Sequence, residues 1–209
     1  MTTGMVRFSS PRLTEAAAYG GSPRLTEVEA AVYGESPRLT EAEAAVYGES
    51  PPPGPHTDAE LATLIGLLER DRPRIATVVV GHGRDGASTA TARAFLDAWQ
   101  ALGREILAVV DWPEQAASWL RPARRMTAQT PDAWVVAAAP LGFAQLARRL
   151  RHDTDWDPRR TFAFASLHDP RVPALAGPGT VRGLRGATAD GATWEAADRW
   201  ITTRLPERP

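Results

Sequence analysis

The stretch from Ile75 to Asp111 constrains the fold more than any other part of this 209-residue chain. It opens with a β-branched apolar run (75–80), passes through a glycine-bearing turn (81–88), and closes with a second apolar run (106–110). Between the turn and the second run, apolar residues recur at helical spacing: Phe95, Ala98, Trp99 and Leu102. This order of strand, turn, helix and strand predicts a parallel βαβ unit.

The same alternation continues downstream and predicts an α/β fold, a Rossmann-like parallel sheet of about five strands with helices on both faces. Three further strands are predicted at 132–138, 161–165 and 181–184, the last of them at a sheet edge because it contains Gly183. Helices are predicted from Trp112, with a kink at Pro122, from Pro140, and around Trp194, Ala197 and Ile201. A short helical turn is predicted at 172–176.

A helix is also predicted before the first strand. Thr57 and Glu60 have the spacing of a capping box, and the helix is expected to end near Arg70, before Pro73. Its apolar face would cover the sheet: Leu61, Leu64, Ile65 and Leu68.

The N-terminal segment repeats one unit. The motif S-P-R-L-T-E begins at Ser10, Ser22 and Ser36, and a Pro-rich linker follows at 51–55. Each copy carries a serine cap, a proline suited to the first helical position and a closing glycine. We therefore divide the chain into 1–56, tandem repeats and linker forming short helices or disorder, and 57–209, an α/β lobe.

Three interpretations of the repeats stay open. They are a helical linker duplicated by replication slippage, a short helical repeat that binds a partner through leucine and tyrosine, or a multi-copy peptide substrate. The near-identity of the copies suits the first and the third interpretation.

Composition excludes several classes of protein. The net charge of −1 gives no bulk attraction to nucleic acid or to an anionic membrane surface. The chain has no cysteine, which excludes disulfides and cysteine catalysis, and all 24 basic residues are arginine, which excludes a P-loop or Schiff-base lysine. No run of about 18 apolar residues occurs, so no membrane insertion is predicted. The first residues have no apolar signal core, and we predict a cytoplasmic location.

Ligands of parallel sheets bind beyond the carboxyl ends of the strands, so the turns at that edge are the candidate site. Glycines in the first turn would let the backbone approach a ligand, and the helix N-terminus behind it favours an anion or a carboxylate. The predicted ligand-binding residues are Gly81, His82, Gly83, Asp85, Ser88, Thr89, Asp111, Leu141, Ser166, His168 and Asp169.

Other chemistry at this edge stays open. Gly81, Gly83 and Gly86 match the dinucleotide spacing G-x-G-x-x-G, with Asp111 near the place of a ribose partner, although a turn that merely needs glycine is the simpler interpretation. The two histidines of the edge, together with Asp85 and Asp169, suit a metal pair or an acid–base set, or they are ordinary solvated residues. Trp112 would stack on a ligand or pack beneath a helix.

Four segments of the chain resemble the second lobe of type 1 periplasmic-binding-like proteins, the substrate-binding proteins of ABC transporters. The first runs from Thr77 through Gly86 and Ala92-x-x-Phe95 to Ala101-Leu102-Gly103-Arg104-Glu105-Ile106. The others are Pro131-Asp132-Ala133-Trp134-Val135-Val136, Phe164 to Leu175 with Asp169-Pro170, and Val181-Arg182-Gly183-Leu184-Arg185-Gly186. The resemblance covers roughly 57–190.

The resemblance implies a lobe that helps to close over a small ligand, often an amino acid, in a two-lobed cleft. There is room for one lobe, and the repeats stand where the first lobe would be. We therefore predict a non-enzymatic module without a cofactor that binds a small polar ligand, as a cytoplasmic or truncated relative. Its open side would be covered in a homodimer or by a missing partner lobe. Two alternatives remain: a nucleotide- or metal-dependent enzyme using His82, Asp85 and His168, and an interaction or precursor protein whose repeats are the functional part.

Overall fold

A computed structural model describes Leu39, Ala45, 52–71 and 74–205. Most of the repeat segment lies outside these residues, and its short helices or disorder stay a prediction. The elements run in the order α1 (Asp58–Arg70), β1 (Thr77–Gly83), α2 (Gly86–Ala101), β2 (Glu105–Trp112), α3 (Leu120–Thr127), β3 (Ala133–Ala137), α4 (Pro140–Asp153), β4 (Thr161–Ala163), α5 (Arg171–Ala176), β5 (Arg185–Ala187), β6 (Thr193–Ala196) and β7 (Ile201–Arg204), with 3₁₀ turns at Pro158–Arg160 and Ala165–Leu167.

The described strands form one seven-stranded sheet in the order β2-β1-β3-β4-β5-β6-β7. The first five strands in this order are parallel, and β6 and β7 add an antiparallel hairpin at one side. The predicted parallel sheet of about five strands is thus confirmed, and it is extended by two strands that the sequence analysis did not anticipate.

Alternation along the strands divides the core between the two faces of the sheet. Val79 and Val136 contribute to a cluster with α3, α4 and α5, whereas Val80 and Val135 contribute to a second cluster with α1 and α2. The prediction of helices on both faces is therefore confirmed. None of the helices in the described part of the chain is long and apolar enough to cross a membrane.

The predicted capping box of α1 is present. The Thr57 hydroxyl accepts a hydrogen bond from Glu60 N at 3.1 Å, and the Glu60 carboxylate accepts one from Thr57 N at 3.3 Å. Leu64 and Leu68 are fully buried on the predicted apolar face. The helix thus begins where its side chains satisfy the free N–H groups of its first turn.

The helix predicted from Trp112 is wrong, because Trp112 is the last residue of β2 and α3 begins only at Leu120. Pro122 does not kink this helix. It lies in the first turn of α3, where an N–H would have no intrahelical partner. On α2, Leu102 lies just after the last helical turn and is 46% exposed, so it does not belong to the buried face of Phe95 and Trp99.

The strand predicted at 181–184 is also wrong: these residues form turns, and β5 begins at Arg185. Strand β5 is not at an edge of the sheet, since it lies between β4 and β6. Gly183 has a φ of +89°, a conformation that a strand does not use, whereas Gly186 lies so close to Ala163 O and the Trp194 ring that a side chain there would collide with both.

The C-terminal helix predicted around Trp194 is replaced by the β6–β7 hairpin. Trp194 and Ala196 are buried while Glu195 between them is exposed, which is the two-residue period of a strand. The spacing of Trp194, Ala197 and Ile201 fits a helix by coincidence. The run Ile201-Thr202-Thr203 is β-branched and favours a strand.

Candidate ligand-binding site

The parallel strands end together along one edge of the sheet. The register pairs His82 on β1 with Asp111 on β2 and with Ala137 on β3. The segments that follow these strands therefore begin at the same level, which is where ligands of parallel sheets bind.

The glycines of the first strand are explained by packing. Gly81 lies inside β1, and a Cβ atom there would stand 2.8 Å from the Trp112 ring and 2.9 Å from the Met126 methyl group. A Cβ at Gly83 would stand 2.8 Å from the carboxylate of Asp85. Trp112 is fully buried, so its ring packs inside the protein. Gly81 and Gly83 thus belong to β1 and not to the predicted turn, which is reduced to Arg84 and Asp85. Close packing inside the protein, and not a turn conformation, accounts for Gly81.

Asp85 caps α2. Its carboxylate accepts a hydrogen bond from Ser88 N at 2.8 Å, and its backbone carbonyl accepts one from Thr89 N at 3.0 Å. The side chain of Asp85 thus fills the place that a bound anion would take at this helix N-terminus. Thr89 is exposed to solvent.

Ser88 differs from its neighbours because its hydroxyl is buried and unpaired. The residue is 2% exposed, and Oγ has no hydrogen-bond partner among the residues that the structure describes. It lines a cavity of about 220 Å³, which we call the Ser88 cavity. The lining residues are Pro53, Gly54, Pro55, His56, Glu60, Ser88, Thr91, Ala137, Phe164, Ala165, Ser166 and Ala189. Seven buried side-chain polar atoms lack a partner among the described residues, and of these only Ser88 Oγ belongs to a residue that lines this cavity. Because such atoms are uncommon in folded proteins, the cavity beside Ser88 is the candidate binding site.

Glu60 forms part of the wall of this cavity. Its carboxylate accepts a hydrogen bond from Ala165 N, in the 3₁₀ turn after β4, in addition to the one from Thr57 N. Burial raises the pKa of the Glu60 carboxyl, and these two hydrogen bonds and the charge of His56 only partly offset the effect. A hydrogen-bond donor placed in the cavity would therefore stabilise the ionised form of this buried carboxyl.

The segment 53–56 also lines the cavity. His56 Nδ1 is 3.4 Å from Thr91 Oγ1, and the imidazole meets the Phe164 ring edge-on at 6.3 Å between centroids. Beyond it, Thr57 Oγ1 donates to Ala189 O at 2.6 Å. These contacts connect the linker, α2, the residue that follows β4 and the β5–β6 turn around one small space.

Nine of the eleven predicted site residues do not line the Ser88 cavity; only Ser88 and Ser166 do. Asp111 instead forms an ion pair with Arg84 at 2.6 Å, and this hydrogen bond lowers the pKa of its carboxyl. His82 contacts a backbone carbonyl, with Nδ1 2.7 Å from Gly83 O. Leu141 is half-buried on α4 and packs against the core.

The last two predicted residues make contacts of their own. His168 Nε2 is 2.9 Å from Thr203 Oγ1, and its ring lies against Trp194 at 5.8 Å between centroids. Burial raises the pKa of Asp169, but the hydrogen bonds from Arg171 outweigh it and leave the pKa below its usual value. His82, Asp85 and His168 thus bind three separate groups. Within 52–71 and 74–205 no set of three histidine or acidic residues lies close enough to hold a metal ion.

Three polar residues that line the cavity were not predicted as site residues from the sequence: His56, Glu60 and Thr91. His56 and Glu60 belong to elements that precede the first strand, and Thr91 lies on α2 beyond the turn that follows β1. The expectation that ligands bind beyond the carboxyl ends of the strands therefore selected none of the three. Glu60 was recognised as a cap of α1, but nothing in the sequence indicates that the same carboxylate also reaches Ala165.

Known proteins resemble this chain in structure. No family model matches the sequence, and no curated protein matches it. Among solved structures, the chain is similar to a substrate-binding periplasmic protein from Ralstonia solanacearum (TM-score 0.56, 18% identity) and to an extracellular ligand-binding receptor from Rhodopseudomonas palustris (TM-score 0.55, 16% identity). It is also similar to a leucine-binding protein from Thermotoga maritima, with a TM-score of 0.50 and 16% identity.

These matches cover 66%, 66% and 60% of this chain, and 38%, 37% and 35% of the three solved chains. At such identities the likeness establishes the fold. The chain therefore has the α/β fold of type 1 periplasmic-binding proteins over a stretch that spans little more than a third of their length, and the resemblance drawn from the sequence is confirmed at the level of fold.

Proposed function

We propose that this chain is a binding module for a small, amino-acid-like polar ligand, and that the ligand occupies the Ser88 cavity. The single observation that carries the proposal is the buried, unpaired Ser88 hydroxyl in a cavity at the carboxyl edge of the sheet. Leaving such a group without a partner costs free energy, which a ligand atom hydrogen-bonded to it would recover.

The chemistry of the walls favours a ligand with both acceptor and donor groups. Ser88 Oγ can donate to a ligand oxygen, while the Glu60 carboxylate across the cavity accepts from N–H groups. An ammonium group near Glu60 would favour the ionised carboxyl and so offset the cost of its burial. The volume of about 220 Å³ is smaller than the pockets that hold drug-sized molecules, so the ligand is small.

The names of the structural neighbours support the same class of ligand. They include a leucine-binding protein and a substrate-binding periplasmic protein. Because the present chain matches only part of each, we propose a ligand class from them and leave transport aside.

Thermal denaturation of the full chain against a panel of small molecules tests the proposal. The panel contains the single amino acids, small amines, small carboxylic acids, nucleotides and divalent metal chlorides. A ligand at about 100 times its dissociation constant should add about 2.7 kcal/mol to the free energy of unfolding. We expect an amino acid or a related zwitterion to give this shift.

Ser88→Ala and Thr89→Ala form a matched pair, since the two residues are adjacent and only Ser88 faces the cavity. The shift should be lost in Ser88→Ala and kept in Thr89→Ala. A shift that survives Ser88→Ala would place the ligand elsewhere. A shift given by nucleotides or metals alone, and abolished by His82→Ala, would favour the enzyme alternative.

A further inference from the structure

One helix of the lobe has no exposed position over most of its length. From Pro140 to Leu150, α4 has no exposed residue, although a helix packed on one side of a sheet normally turns a polar face to water. The positions that are only half-buried are Leu141, Gln145 and Arg149. They follow one another at intervals of four residues, so they lie in one row along the helix. We call this row the α4 stripe.

Arg149, the charged residue of the α4 stripe, is unusually well buried. The side chain of Arg149 keeps only 16% of its surface exposed, and its salt bridge to Asp153, at 2.8 Å, covers part of it from its own helix. Arginine rarely loses this much contact with water on the outer side of a surface helix.

Leu39 lies on this stripe. Its backbone N–H donates a hydrogen bond to Gln145 Oε1 at 3.3 Å, and its side chain packs against the core cluster that contains Phe143 and Leu146. Leu39 is 106 residues before Gln145 in the chain, so this contact is a tertiary one.

Leu39 is also the leucine of the third S-P-R-L-T-E copy. Leu13 and Leu25 occupy the same place in the first and second copies, with the same residues on both sides. A surface that accepts the leucine and the backbone N–H of one copy presents the same chemistry to the other two.

From these observations we infer that the α4 stripe is a docking site for the S-P-R-L-T-E unit of this chain, and that the three copies are interchangeable on it. One leucine and one hydrogen bond make a weak contact. It suffices here because the units are tethered to the lobe, which gives each of them a high effective concentration. Three copies therefore keep the stripe covered more of the time than one copy would.

The inference is independent of the proposed ligand. The helices that line the Ser88 cavity are α1 and α2, whereas α4 packs on the other face of the sheet. A ligand-binding result, positive or negative, leaves the docking site as it stands.

The lack of cysteine in the chain gives a clean test. Arg149→Cys in the full chain places a single thiol on the stripe, and its rate of alkylation reports how often the stripe is uncovered. Arg151→Cys is the matched control, because residue 151 lies on the same helix and is exposed. We expect slow labelling of Arg149→Cys, and fast labelling of Arg151→Cys in every background.

The repeat leucines are then removed in two steps, with unchanged circular dichroism as evidence that the lobe remains folded. With Leu39→Ala alone, labelling of the stripe should stay close to its starting rate, because another copy takes the place. With Leu13→Ala, Leu25→Ala and Leu39→Ala together, it should rise several-fold towards the rate of the control. An unchanged rate in the triple variant would overturn the docking site, and an equal rise in Leu39→Ala and the triple variant would overturn interchangeability.

Oxidative cross-linking identifies the occupant directly. The first variant carries Leu39→Ala, Arg149→Cys and Thr26→Cys, and it should form an intramolecular disulfide between its two cysteines. The control variant carries Arg151→Cys in place of Arg149→Cys and should form much less of this disulfide. Cross-linked dimers in place of the intramolecular product would show that the unit comes from a second chain, and would overturn docking within one chain.

Discussion

The carboxylate of Glu60, on the first helix, accepts a hydrogen bond from the backbone N–H of Ala165, which begins the 3₁₀ turn after β4. The two residues are 105 positions apart, and their contact joins α1 to the carboxyl edge of the sheet beside the Ser88 cavity. One acidic side chain thus caps its own helix and satisfies an amide in the turn after β4 at the same time.

This contact predicts a pH dependence. The folded-state pKa of Glu60 is raised, chiefly by burial, so between the unfolded and folded pKa values the folded protein binds more protons than the unfolded chain. The contribution of Glu60 to stability should therefore fall as the pH rises from about 4.3 through the raised folded pKa. Urea denaturation of wild type and Glu60→Gln across pH 4 to 7, on the order of one measurement per half unit, should show the wild type losing stability relative to the variant as the pH rises. A difference that does not change with pH would contradict the raised pKa.

Removing the side chain has a different effect. Glu60→Ala leaves Ala165 N without its acceptor and should cost about 1–3 kcal/mol at neutral pH. Asp58→Ala, on the exposed side of the same helix turn, is the control and should cost less than about 1 kcal/mol. Chemical denaturation of both variants measures the difference.

Removal of the Ser88 hydroxyl and removal of the Thr57 hydroxyl, both near helix N-termini, should have different effects on the free energy of unfolding. Ser88 Oγ is buried without a partner among the described residues, so Ser88→Ala should leave the ligand-free protein unchanged or stabilise it by up to about 1 kcal/mol. Thr57 Oγ1 caps α1 and donates to Ala189 O, so Thr57→Ala should cost about 1 kcal/mol or more. A marked loss of stability in Ser88→Ala would mean that its hydroxyl has a partner in the free protein.

Gly142 lies in the first turn of α4, where its N–H donates to Glu114 Oε1 at 2.7 Å. A Cβ atom there would collide with the Glu114 carboxylate, so Gly142→Ala should destabilise the protein by about 1–3 kcal/mol. Gly86 begins α2, and a methyl group added there would meet no described atom within 4 Å, so Gly86→Ala should stabilise by about 0.4–1 kcal/mol. Equal effects of the two substitutions in thermal denaturation would count against the close approach of Glu114 to α4.

The pair Asp169–Arg171 should lose its contribution in acid. The pKa of Asp169 stays lowered because the hydrogen bonds from Arg171 outweigh its burial, so the stabilisation is present above the unfolded pKa and is lost as the pH falls through the folded one. Asp169→Asn should therefore cost about 1–3 kcal/mol at about pH 7 and progressively less below about pH 4 in urea denaturation. Asp198→Asn removes an exposed pair with Arg182 and should change stability by less than about 0.5 kcal/mol.

The sequence predicted best those elements in which the apolar residues recur with one clear period, that of a strand or that of a helix. The β-branched run of β1 and the run of β3, which is buried on both faces, read as strands, and the apolar positions of α4 recur without interruption, from Phe143 to Leu150. The hairpin was missed because the spacing of Trp194, Ala197 and Ile201 also fits a helix. Its two-residue alternation extends over a strand of only four residues.

The candidate site was harder to predict for a physical reason. Ligands of parallel sheets bind beyond the carboxyl ends of the strands, and this expectation selects Ser88 and Ser166. It does not predict which other elements lie over that edge of the sheet. His56 and Glu60 reach it from the linker and from α1, through contacts with residues more than thirty and one hundred positions away. Contacts of this kind leave no periodic trace in a sequence.

The hydrogen bond from Thr57 to Ala189 has a consequence for the order in which the molecule assembles. It spans 132 residues, and Ala189 is part of the wall of the Ser88 cavity. Long-range pairings of this kind carry the largest loop-closure cost, so they form late. During synthesis the cavity can acquire its last wall only after the turn between β5 and β6 has emerged and folded back, and a nascent chain that ends before residue 189 lacks a complete cavity.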